Sequence, residues 1–425
     1  MSELLIVSQA EQLITVAGHS EQPAVKDAMQ NIQVIDNGTV IIQDGKILAA
    51  GPHDDIKLEY ESLWNKAKHI DATGQIVTPG LVDPHTHIVY AGSRENEYAM
   101  RLQGKTYMEI MNAGGGIHAT TRATQEASFD DLYEQSLRRM NQFLLHGVTT
   151  IEAKSGYGLT IEDEMKQLEV AKKLHEDHPL DLVSTFMGAH AVPLEYKDNP
   201  DAFVDYVIDE MLPSVAARKL ATFNDVFCER DVFTPEQSKR ILEAGKEYGL
   251  IPKIHADEIE PYGGAEVAAE VGAISADHLL KASDEGIEQM AESGVIGVLL
   301  PGTAFFLMAE YARARRMIDH GVPVALSTDA NPGSSPTISL QFIMNLGCLN
   351  MDMTPEEVIT ATTINAAHAI GKGDSIGSIE PGKIGDLTIF DVPNYLQLSY
   401  HYGMNHAHTV IKRGTPVVKA GQLKI

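Results

Sequence analysis

Eight short apolar runs, separated by stretches of helical period, fill the middle of this chain and restrict its fold more than any other feature. They are Gly80–Pro84, Val148–Ala153, Leu182–Met187, Asp225–Cys228, Ile251–His255, Ile274–His278, Val295–Leu300 and Val322–Thr328. A short apolar run suits a strand covered on both faces, and strands alternating with helices build a parallel sheet. Among the helical stretches, Phe129–His146 carries Leu137, Met140 and Leu144 at helical spacing, with Ser128 placed to cap its start and Gly147 to stop it. Thr354-Pro355-Glu356-Glu357 is a second helix start, with proline in the first turn. Eight such units predict an α/β fold, a (β/α)8 TIM-like barrel, for which roughly 250 residues suffice. An open doubly wound sheet is the alternative, but no G-x-G-x-x-G follows the early strands.

The two ends of the chain read differently. Thr39–Gln43, then Asp44-Gly45, then Lys46–Ala50 is a hairpin signal, because Asp-Gly suits a type I′ turn. Near the other end, Asp386–Phe390, Thr409–Ile411 and Pro416–Val418 are strand-like. The expectation is a composite β-sandwich domain from residues 1–79 and 373–425 around a catalytic barrel at 80–372. The connection from Ile88 to Gln125 is long and contains Gly114-Gly115-Gly116, the place to look for a lid.

Charge narrows the partners. With 59 Asp and Glu against 33 Lys and Arg, the net charge of −26 opposes binding to nucleic acid or to an anionic membrane. An anionic substrate would need a local cationic pocket, shielded from the global field by a Debye length of about 8 Å. Two cysteines, Cys228 and Cys348, make no disulfide framework. With no basic region at Met1-Ser2-Glu3 to start a secretory signal, a reducing, cytoplasmic setting is expected. The apolar uncharged run Gly294–Ala309 is broken by Pro301-Gly302 and falls short of the roughly 18 residues of a membrane span.

Functional groups of such barrels sit at the C-terminal ends of the strands. Strand one leads into His85-Thr86-His87, whose imidazoles share a face. Strand five ends in His255, strand six in His278, and Asp329 follows strand eight. Imidazole and carboxylate gathered on one rim are the makings of a metal site.

These residues resemble the amidohydrolase superfamily. The resemblance rests on Gly80–His87, Ile254-His255-Ala256-Asp257-Glu258, Ser275-Ala276-Asp277-His278, Ser327–Gly333 and the tail Pro381–Leu387, and it spans essentially the whole chain. Ile151–Gly158 and Gly188-Ala189-His190 resemble more narrowly a branch that opens a small imidazolone ring bearing a propionate. The resemblance implies that His85, His87, His255 and Asp329 hold one divalent metal, zinc or iron, with His278 beside it as a non-ligand. Binuclear relatives bridge two metals with a lysine at the end of strand four. Here that strand ends Val226-Phe227-Cys228-Glu229, and Lys154 ends strand two instead, so a single metal is expected.

Such a metal activates water and polarises the carbonyl it attacks. His278 is the candidate to stabilise the oxyanion, and Glu258 to carry a proton to the departing nitrogen or to hydrogen-bond the ring. Arg94 is the candidate fork for the propionate. The resemblance adds Tyr157 and His190 as substrate contacts. Asn331-Pro332-Gly333-Ser334 is read as a loop that offers amides and a hydroxyl to an anion. A guanine or cytosine deaminase would share every metal ligand, but a nucleobase has no carboxylate for Arg94. A barrel kept only as a scaffold would have lost ligands, and this set is complete. A homodimer is expected from the superfamily.

Overall fold

A computed structural model describes residues 3–105, 109 and 114–425. The chain opens with β1 (Leu4–Ile14), β2 (Val34–Gln43), β3 (Lys46–Pro52), β4 (Lys68–Asp71) and β5 (Ile76–Pro79). β2 and β3 form the expected hairpin, with Gln43 opposite Lys46. Asp44 and Gly45 adopt φ of 50° and 79°, the left-handed pair a type I′ turn requires.

Eight parallel strands follow: β6 (Leu81–Asp83), β7 (Val148–Lys154), β8 (Asp181–Ala189), β9 (Phe223–Cys228), β10 (Ile251–Ala256), β11 (Ser275–His278), β12 (Ile296–Leu299) and β13 (Val324–Leu326). Each pairs with the next in chain order. The ends of the row meet just beyond the strands. Thr86 bridges Ala330, the His87 amide donates to the Ala330 carbonyl at 3.0 Å, and the Asp329 amide donates to the His85 carbonyl at 3.1 Å. Deeper in the same seam, the buried Asp83 carboxylate accepts from the Ser327 hydroxyl, the Thr328 amide (3.2 Å) and the Thr328 hydroxyl (2.6 Å). The barrel is thus nearly closed, and its seam passes through the histidine pair and Asp329.

Helices cover the strands where the sequence places them. Phe129–Leu145 starts at Ser128, whose hydroxyl accepts from the Asp131 amide at 3.1 Å, and the chain leaves it through Gly147 at φ 89°. Pro355–Ala361 starts with a capping box between Thr354 and Glu357. Apolar side chains of these helices pack with outward-facing strand residues in one large core, and Val82, Phe223, Ile296, Val298 and Ala325 of the strands join a second cluster.

The chain ends in β14 (Leu387–Phe390), β15 (Ala407–Lys412), β16 (Thr415–Lys419) and β17 (Gln422–Leu423). By hydrogen bonding, both termini join in one mixed nine-stranded sheet, in the order β17-β16-β15-β14-β5-β1-β2-β3, with β4 also paired to β1. The branch has a local cause. β1 carries an irregularity between Val7 and Ala10, with Gln9 at φ 58°, so β4 pairs with its first half and β5 with its second. The sheet encloses its own apolar cluster, including Leu5, Val40, Val77, Leu387 and Ile411.

Among the described residues, the long connection after Ile88 holds the helices Glu95–Leu102 and Ile117–Glu126. The lid expected at Gly114–Gly116 adjoins residues 106–108 and 110–113, which lie outside the described residues. No helix among the described residues is long and apolar enough to cross a membrane.

Candidate metal centre and active site

The strand ends bring five imidazoles and a carboxylate to one place. His85 and His87 follow β6, His190 follows β8, β10 contributes His255, β11 ends in His278 and Asp329 follows β13. His85, His87, His255, His278 and Asp329 are each no more than 2% exposed. The backbone is strained where two of them sit. His278 and Asp329 take φ of 75° and 51°, in the left-handed region that non-glycine residues rarely enter.

Carboxylates behind the histidines fix their orientation. Asp277 Oδ2 lies 2.6 Å from His85 Nδ1, and Asp225 Oδ1 lies 3.0 Å from His255 Nδ1. A carboxylate on Nδ1 holds the proton there and turns the Nε2 lone pair outward. Both of those Nε2 atoms are buried without a hydrogen-bond partner, as are His87 Nδ1 and His278 Nδ1. Each orphan of this kind costs about 1–3 kcal/mol unless something binds it. Burial pushes all four imidazoles well below their ordinary pKa, so their lone pairs are free to bind. Asp329 Oδ1 stands 3.4 Å from His85 Nε2 and 3.8 Å from His87 Nε2, while the Thr303 hydroxyl holds Oδ2 at 2.6 Å.

Three overlapping groups bring ligand atoms within 4.8 Å of one another: His85 with His255 and His278, His87 with His190 and His255, and His85 with His87 and Asp329. The donor set suits a divalent cation of the zinc or iron kind. His85, His87 and His255 recur in two groups each. His278, expected beside the metal, faces the same space.

His87, His190, His255, His278 and Asp329 line a cavity of about 410 Å³. Every other candidate from the sequence lies on its wall: Arg94, Tyr157, His190, Glu258, Asn331, Gly333 and Ser334. Arg94 is not a solvated loop charge beside Glu95. Its Nε and Nη2 donate to Glu97 Oε2 at 3.0 and 2.9 Å, and Nη1 lies against Gly333. A Cβ on Gly333 would stand 2.0 Å from that nitrogen, so the absence of a side chain there makes room for the guanidinium. His190 stacks on His87 with centroids 5.0 Å apart, and its Nδ1 meets the Gly156 carbonyl at 3.1 Å. Gly156 is required twice: its φ is 106°, and a Cβ would stand 2.7 Å from His190 Nδ1. Glu258 Oε2 lies 3.6 Å from His278 Nε2. Burial, reinforced by the carboxylates of Asp329 and Glu229, pushes Glu258 up to about 8, so it carries its proton at neutral pH.

One expectation needs correction. The amides of Gly333 and Ser334 do not await an anion. Both donate to Asn331 Oδ1 at 2.8 Å, and Asn331 Nδ2 donates to the Asp329 carbonyl at 2.7 Å. Asparagine's habit of closing a turn on its own backbone takes the donors first. The loop therefore braces Asp329 and leaves room for Arg94.

The match with known proteins falls in the same place. The family model for amidohydrolases covers residues 76–419, from the strand before the barrel to the closing sheet. This chain belongs to the amidohydrolase family. Within that family it groups with the imidazolonepropionases: it is 68% identical to the one from Geobacillus sp. (strain WCH70) over 99% of both chains, and 66% identical to the one from Brevibacillus brevis over all of both. In fold, it is similar to a mutant atrazine chlorohydrolase from Arthrobacter aurescens TC1 complexed with zinc and atraton. The TM-score is 0.71 at 16% identity, over 99% of this chain and 96% of that one.

Several working parts of this amidohydrolase site escaped the sequence. Asp225 and Asp277 orient ligands, Thr303 holds Asp329, and Glu164 ties the loop before His190 by accepting the amides of Gly156 (3.0 Å), Gly158 (2.7 Å) and Leu159 (2.9 Å). Glu152 and Lys154 offered a signal: two charges at i and i+2 in a strand buried throughout must face something polar.

Proposed function

We propose that this amidohydrolase opens the ring of 4-imidazolone-5-propanoate by hydrolysis, giving N-formimidoyl-L-glutamate in histidine degradation. The observation that carries the reading is the pair of buried, unpartnered Nε2 atoms of His85 and His255, each held from behind by a carboxylate, with His255 lining a cavity that has Arg94 in its wall. His85, His87, His255 and Asp329 hold one divalent cation per subunit, zinc or iron. When bound, it brings water toward a pKa of about 7 and polarises the ring carbonyl.

The chain's own groups do the rest. Arg94 Nη1 takes the propionate, a charge-assisted bond that sets which end of the substrate enters first. Tyr157 and His190 close the side of the cavity against the ring. His190 is held down at about 3 by burial and by His255, so it stays neutral, with Nε2 free to accept from a ring N–H. Glu258 carries a proton at neutral pH and delivers it to the ring nitrogen as the C–N bond breaks. His278, neutral beside Glu258, donates to the oxygen that gains charge. Atoms balance: water supplies the hydroxyl of the new carboxyl, and its other proton replaces the one that Glu258 gives to the departing nitrogen.

A guanine or cytosine deaminase would use the same ligands but gives Arg94 nothing to bind, and the full-length relatives do not favour it. The division into a barrel at 80–372 and a composite domain of 1–79 with 373–425, a homodimeric assembly and a cytoplasmic location complete the reading. Freshly made 4-imidazolone-5-propanoate, guanine and cytosine offered in parallel test it. Rapid loss of imidazolone absorbance with formimidoyl-glutamate as product, and no ammonia from the bases, is the expected result. Deamination of a base with the imidazolone untouched would move the assignment elsewhere in the family.

A further inference from the structure

Lys154 ends β7 completely inside the barrel, below the histidines and out of reach of any substrate. Its side chain is 0% exposed, and its ammonium meets three carboxylates: Asp225 Oδ2 at 2.6 Å, Glu152 Oε1 at 2.9 Å and Asp277 Oδ2 at 3.3 Å. Two of these are the carboxylates that turn His255 and His85. Asp225 touches Lys154 with one oxygen and His255 Nδ1 with the other. Asp277 uses the same Oδ2 for Lys154 and for His85 Nδ1. A second buried lysine, Lys253, stands 3.4 Å from Glu152 Oε2.

We propose that Lys154 is a positioning residue for the metal: one ammonium clamps Asp225 and Asp277 together, and through them fixes His255 and His85 as Nδ1–H tautomers with Nε2 presented to the cation. The inference rests on the ligand set proposed above.

Charge explains why a cation is needed here. Lys154 and Lys253 face Glu152, Asp225 and Asp277, which leaves this group of five with one negative charge in excess. Asp329 and the buried Asp83 add further negative charge, so the surroundings of the histidines carry an excess that favours a cation. Without Lys154, two carboxylates brought within reach of one atom would repel across a medium of low dielectric. One of them would then swing away, and the histidine it serves would lose its orientation. Burial alone would lower the Lys154 ammonium, but Asp225, Glu152 and Asp277 raise it above its ordinary value, so the clamp stays charged. The backbone assists, because the Lys154 amide donates to the Thr86 carbonyl at 2.8 Å, between the two histidines of the pair.

The test reads metal binding, not turnover. Zinc affinity of the metal-free protein is measured by competition with a chromophoric chelator, and the cobalt-substituted protein gives an absorption spectrum that reports ligand geometry. Lys154→Met, folded by near-ultraviolet circular dichroism, is expected to lose roughly 10–100-fold in zinc affinity and to shift the cobalt bands. A folded Lys154→Met with affinity within twofold of the parent and unchanged bands overturns the clamp. Wild-type protein that fails to bind zinc would instead overturn the ligand set itself.

If Lys154→Met does not fold, the double variant Lys154→Met with Glu152→Gln removes one charge of each sign and leaves both histidine-bound aspartates. Weak zinc binding supports the clamp. Parental affinity overturns it, since neutralising Glu152 would then be all that Lys154 does. If neither folds, nitrogen-15 spectra of histidine-labelled wild-type protein decide. His85 and His255 are expected as Nδ1–H tautomers, and an Nε2–H form at either overturns the proposal.

Discussion

Arg94 and Gly333 form a pair in which the small residue sets the reach of the large one. Truncating Arg94 to alanine removes a charge-assisted bond of about 1.5–3 kcal/mol, so KM should rise roughly 10–100-fold with a smaller change in kcat. Gly333→Ala should raise KM in the same direction without unfolding the protein, because the atoms nearest a Cβ there belong to the Arg94 guanidinium, the end of a flexible side chain. Steady-state kinetics on the two variants check both statements. His178 gives a pH prediction away from the metal. Its Nδ1 accepts from the Leu180 amide at 3.2 Å and its Nε2 lies 3.1 Å from Asn141 Oδ1, so the fold wants the neutral ring. Burial lowers its pKa from 6.5 to about 4. The unfolded chain therefore takes up a proton first, and this part of the stability is complete above pH 6.5 and lost as pH falls toward 4. Melting temperatures of the wild type should fall more steeply across that window than those of His178→Asn.

At the level of elements, the barrel strands were legible because a parallel strand buried on both faces can only be apolar. All eight runs became strands within a few residues. The rim was legible too, since His85, His87, His255, His278 and Asp329 break those runs at their ends. What lay beneath the rim was not. Asp277 beside His278 looks like any acid before a histidine, and Asp225 sits at the start of its own apolar run. Only the three-dimensional ring of strands shows that they face His85, His255 and Lys154. The loop at Asn331 was misread for a related reason, because the sequence cannot say whether an amide meets a ligand or its own asparagine. The branch at β1 depends on a local irregularity at Gln9 that leaves no mark in composition. The seam between β6 and β13 makes a prediction of its own. Asp83→Ala strands the Thr328 hydroxyl and amide in the core and leaves the Ser327 hydroxyl only the His85 carbonyl, and should cost about 2–4 kcal/mol in urea unfolding. A loss under 0.5 kcal/mol would show that the seam is held elsewhere.

Across the whole molecule, a net charge of −26 surrounds a site proposed to take an anion. The global field slows the approach of such a substrate, and salt weakens it beyond a Debye length of about 30 Å at 0.01 M but only about 8 Å at 0.15 M. Over that range kcat/KM should rise with ionic strength. A fall would mean that Arg94 and its surroundings, rather than the net charge, govern encounter. Both ends of the chain share one sheet with hydrogen bonds from β5 to β14, so the barrel and the sheet are joined through the first barrel strand as well as through the core.

The most direct measurement is reconstitution. Metal-free protein is titrated with zinc or ferrous iron while imidazolone loss is followed under saturating substrate. The account predicts no ring opening in the metal-free protein, a linear rise with added metal and a plateau at one equivalent per chain. A plateau at two equivalents, or undiminished ring opening in the metal-free protein, would contradict it.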